Sequence, residues 1–84
     1  MKYLAELKYI SNDNYNMPSN LKKFEVNSND MDEAIKSIRN RLSIHMSDKD
    51  DYFVEAGHDY ENYADIYFSD ALTGQDVRYT IIKV

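Results

Sequence analysis

The stretch Asp30–Met46 places apolar residues at helical spacing, and segments on both sides of it alternate like strands. Met31, Ala34, Ile35, Ile38, Leu42 and His45 recur three and four positions apart, so they share one face of a helix. Asp32, Glu33, Lys36, Arg39, Asn40 and Ser43 fall mostly on the other. Asp30 and Glu33 have the spacing of a capping box, with Asp in place of Ser or Thr, and Arg39 and Arg41 sit toward the negative end of the dipole. A helix this short is marginal alone in water, so its stripe must lie against a sheet.

The flanking segments supply that sheet. In Lys2–Ile10, Tyr3, Ala5, Leu7 and Tyr9 alternate with Glu6 and Lys8, while Leu4 and Ile10 give the outer face apolar cover. Ser11–Asn20 is dense in turn formers and holds the only proline, so it reads as a loop. Leu21–Val26 resumes the alternation as an antiparallel neighbour of the first strand. After the helix, Tyr52–Ala56 and Tyr63–Ser69 read as strands, separated by a loop over Gly57–Asn62. Val77–Val84 carries β-branched and aromatic residues on both faces, which predicts a central position. The expectation is a single α+β domain over residues 1–84, in the order ββαβββ. It would be a five-stranded antiparallel sheet with one helix on one face and a tyrosine-rich face open to water.

With no cysteine there is no thiolate nucleophile, thiolate metal site or disulfide framework. No apolar run approaches the roughly 18–20 residues of a membrane helix, and the charged start MKYLAELKYI is unlike a signal peptide. The cytoplasm of a host cell is the expected location, with no membrane association. No phosphate loop, nucleophile elbow or H-E-x-x-H motif is present. His58-Asp59 has the form of a metal-binding pair, but the further ligands are missing and His45 belongs to the apolar helix face. Asp48-Lys49-Asp50-Asp51 begins like a calcium loop, yet the sharp-turn glycine is absent and Asp59 stands in for the bidentate Glu. The residues therefore predict no enzyme and no cofactor.

Charge carries the functional signal. Between Asp48 and Asp76 nine acids face one base, Lys49, for −8, whereas the remaining residues carry nine bases and six acids, for +3. Tyr52, Tyr60, Tyr63 and Tyr67 are interleaved with those acids, which would repel phosphates and argues against direct nucleic-acid binding. Lys22, Lys23, Lys36, Arg39 and Arg41 could form a basic patch, or simply solvated charges on a strand edge and a helix back. Carboxylates along strands could instead imitate phosphates, with tyrosines as rigid contact area. The candidate partner-binding set is Asp50, Asp51, Glu55, Asp59, Tyr60, Glu61, Tyr63, Asp65, Tyr67 and Asp70. The competing explanation is that these acids keep a tyrosine-rich domain soluble.

An acidic balance, a helix introduced by FEVNSNDMDEAIKSI and a tyrosine-rich antiparallel sheet together resemble the small inhibitor proteins of phages and mobile elements, of anti-CRISPR or anti-restriction type. The resemblance covers the whole chain in general features and rests on no diagnostic motif. It implies a non-enzymatic inhibitor that occludes a host defence complex, often at a nucleic-acid-binding surface. The alternative class is an assembly module that forms a homodimer through its edge strands or open face. A small-molecule sensor fits poorly, because so short a chain leaves little room for a deep pocket beside its core.

Overall fold

In a computed structural model, residues 1–11, 17–42, 59–69 and 75–84 are described with their side chains, and residues 51–55 by backbone alone. The elements are β1 (Lys2–Ile10), α1 (Ser19–Lys22), β2 (Lys23–Asn27), α2 (Met31–Leu42), β3 (Asp51–Glu55), β4 (Tyr63–Ser69) and β5 (Asp76–Lys83). All strand pairs are antiparallel.

The expected architecture of five strands and one helix requires correction. The sheet that carries the described core has four strands, in the order β2-β1-β5-β4, and β5 lies inside it. Only the backbone of Asp51–Glu55 is described, as a ladder along the outer edge of β4. A second helix, α1, takes Ser19 and Asn20 from the expected loop and Leu21 and Lys22 from the expected strand. The order along the chain is therefore βαβαβββ. Pro18 precedes α1 with φ −56°, and its carbonyl accepts from the Leu21 amide at 3.0 Å. The turn is anchored from afar: the buried Tyr79 hydroxyl donates to the Leu21 carbonyl at 2.7 Å.

α2 begins where the capping pattern placed it. The Glu33 amide donates to Asp30 Oδ1 at 2.9 Å, and Glu33 Oε2 accepts from the Asn29 amide at 3.2 Å, one residue before the usual box. Met31, Ala34, Ile35, Ile38 and Leu42 are all buried, each at most 2% exposed. Full burial of an Ile, Leu or Met side chain contributes about 1.5–3 kcal/mol, so this stripe is what holds the helix down. His45 and the rest of the expected helix lie outside the described residues, as does most of the 48–51 run.

The core face of the sheet contributes Tyr3, Ala5, Phe24, Val26, Ala64, Ile66, Phe68, Val77, Tyr79 and Ile81. Phe24 and Phe68 both meet Tyr79 edge-on, with ring centroids 6.1 Å apart in each pair. A register shift between Leu7 and Tyr9 breaks the simple alternation of β1. Past this bulge Ile10 pairs with Val77 and packs against the core, while Tyr9 pairs with Arg78 on the outer face and is 47% exposed. Simple alternation along the sequence assigns these two residues to the opposite faces.

Candidate functional site

The outer face of the sheet is mixed in charge. Tyr63, Asp65 and Tyr67 all project there from β4, because Ala64, Ile66 and Phe68 are drawn into the core. Asp65 is occupied within the chain: Oδ1 accepts from the Thr80 hydroxyl at 2.8 Å, and the Tyr63 hydroxyl lies 3.2 and 3.3 Å from its two oxygens. The Arg78 guanidinium sits 5.0 Å from the centre of the Tyr67 ring, a cation–π distance, and Tyr9 lies beside that ring at 6.4 Å. Glu6 is held between Lys8 and Lys23, the latter at 3.9 Å. The hydrogen bond and charge of Lys8 hold the Glu6 carboxyl below its usual range, and Glu6 in turn raises Lys8.

A different arrangement forms at one end of the molecule. Residues 59–62 make a turn in which the Asn62 and Tyr63 amides donate to the Asp59 carbonyl at 3.0 and 2.8 Å. The Asn62 side-chain amide closes onto the Asp59 carboxylate at 2.9 and 3.1 Å. From this turn the Tyr60 hydroxyl donates to Asp32 Oδ1 in the first turn of α2. The buried Tyr3 hydroxyl lies nearby. Its pKa is raised, first by burial and then by the negative charges of Asp30 and Glu61, which places both carboxylates within electrostatic reach of one ring.

Asp30, Asp32, Glu33, Asp59 and Glu61 thus gather around the start of α2, with Tyr60 among them. Among the described residues, the ion pairs are Lys2–Glu25, Lys8–Glu6 and Lys23–Glu6, and none of these five carboxylates takes part. Asp30, Asp32, Glu33 and Asp59 accept from neutral donors, and all five residues are exposed.

Of the residues singled out from the sequence, Asp59, Tyr60 and Glu61 come together at this end, while Tyr63, Asp65 and Tyr67 line the outer face of β4. Asp50 and Asp70 lie outside the described residues, as do the side chains of Asp51 and Glu55. In the sequence Asp30, Asp32 and Glu33 read only as a helix cap, because their distance along the chain from residues 59–61 hides the shared location. Among the described residues no group of three His, Cys, Asp or Glu is disposed to hold a metal ion, and no helix is long and apolar enough to cross a membrane. His58, like His45, is outside them. No family model, curated protein or solved structure matches the chain.

Proposed function

We propose that this protein is a stoichiometric, non-enzymatic inhibitor of a host complex that handles nucleic acid, of the kind its sequence resembles. In this reading the acidic end, Asp30, Asp32, Glu33, Asp59 and Glu61 with Tyr60 among them and Tyr63 from the adjoining outer face, docks in a basic groove built for phosphates. The observation that supports it is the gathering of five carboxylates with no basic partner among the described residues. Charges of one sign held on a fixed scaffold steer a basic partner and speed encounter. Tyrosines at the rim add contact area at low entropic cost. The mixed outer face serves this role less well, because Lys8, Lys23 and Arg78 sit among its acids.

Immobilised protein incubated with bacterial lysate is expected to retain a nucleic-acid-binding complex that added duplex DNA or RNA releases. Retention unaffected by nucleic acid would remove occlusion of a phosphate-binding surface as the mechanism.

A further inference from the structure

Among the described residues β2 ends the sheet on one side, with β1 as its strand neighbour. Its backbone polarity follows from the ladder. Met1 and Ser28 exchange both backbone hydrogen bonds at 2.9 Å, which marks a hydrogen-bonded pair. Such pairs alternate along an antiparallel ladder, so Val26 and Phe24 bond to Tyr3 and Ala5. The amides and carbonyls of Lys23, Glu25 and Asn27 therefore aim away from β1, toward an edge that no described strand pairs with. The Lys23 and Glu25 side chains stand on the outer face, 63% and 54% exposed.

We propose that the β2 edge is a homodimer interface, formed by antiparallel pairing with a second copy of this chain about a twofold axis at Phe24. This register sets the outward-facing groups of Lys23 against those of Glu25 in the other copy, twice, so edge hydrogen bonds and opposite charges form together. Registers centred on Lys23 or Glu25 oppose like charges, and one centred on Val26 opposes Glu25 with Asn27. The outer-face charges extend the complementarity. Glu6 already holds Lys23 at 3.9 Å, and Lys2 holds Glu25 at 3.4 Å. Across the junction the ion contacts then run Glu6, Lys23, Glu25 and Lys2, alternating in sign, with Lys2 reaching Glu25 diagonally because Leu4 is its register partner. On the core side the two Phe24 rings become cross-strand neighbours. Arg41, whose guanidinium lies 4.9 Å from the centre of the Phe24 ring, meets its symmetry mate there, and its long stem allows it to swing into solvent. The edge is five residues long, so the dimer is weak and concentration-dependent.

The inference does not depend on the proposed target, and its test reads only association. Sedimentation velocity up to roughly 1 mM is run on the wild type, Lys23→Glu, Glu25→Lys and the double exchange, with circular dichroism confirming that each is folded. Each single reversal puts two like-charged pairs across the axis and should weaken the dimer at least about tenfold, while the double exchange restores both pairs across the axis and should dimerise more tightly than either single variant. Mixing the two single variants should yield a heterodimer, because one then carries two acids and the other two bases. A wild type that stays monomeric throughout, or single variants that dimerise like the wild type, would overturn the proposal.

Discussion

The Tyr60 hydroxyl donates to the Asp32 carboxylate across 28 positions of sequence, tying the 59–62 turn to the first turn of α2. That bond holds the acidic end together. Asp32 also opposes the positive end of the helix dipole. Tyr60→Phe should cost about 0.5–1.5 kcal/mol in urea unfolding and speed amide exchange at Asn62 and Tyr63. Unchanged exchange there would mean the turn is held by Asp59 and Asn62 alone.

The Tyr79–Leu21 bond does comparable work in the interior. Removing the hydroxyl leaves a buried carbonyl at the end of α1 without its donor. Tyr79→Phe should therefore lose about 1–3 kcal/mol of stability with its packing intact. A neutral result in urea unfolding would show that α1 is held by its neighbours without this contact.

Much of the fold could be read from periodicity alone. Tyr63–Ser69 is a strand with the predicted bounds and faces, and the stripe read from the spacing of α2 is buried from Met31 to Leu42. What failed to show was long-range. Leu21 heads the strand expected from the alternation of Phe24 and Val26, but a carbonyl satisfied from 58 residues away lets a helical turn take it instead. The bulge that turns Tyr9 outward has no local signature either, since Lys8 and Tyr9 are ordinary strand residues. The acidic end was half visible. Asp59 and Glu61 stood out in a charge run, but Asp30, Asp32 and Glu33 already had a sufficient local role as a cap.

Tyr3 gives the protein a defined alkaline weakness. Burial, with Asp30 and Glu61 beside it, raises its folded pKa above the unfolded value near 10. A raised pKa means the folded state keeps its proton longer. The associated stability is therefore full below about pH 10 and is lost as pH rises through the folded value. Lys8, raised by Glu6, contributes with the same sign. Melting temperatures taken between pH 8 and 11 should fall less steeply for Tyr3→Phe than for the wild type. Parallel curves would assign the alkaline loss to other groups.

Charge reversal at the acidic end bears most directly on the proposed inhibition. Asp59→Lys with Glu61→Lys inverts two of the five carboxylates, whereas Lys36→Glu on the exposed back of α2 changes charge away from the buried stripe. The three proteins are compared for capture of a nucleic-acid-binding complex at low salt and at about 0.5 M salt, where exposed charges more than a few ångströms apart are screened. The wild type and Lys36→Glu should retain the complex at low salt and lose much of it at high salt, and the double reversal should retain none. Equal capture by the double reversal, or capture by all three that is indifferent to salt, would contradict a phosphate-mimicking acidic end.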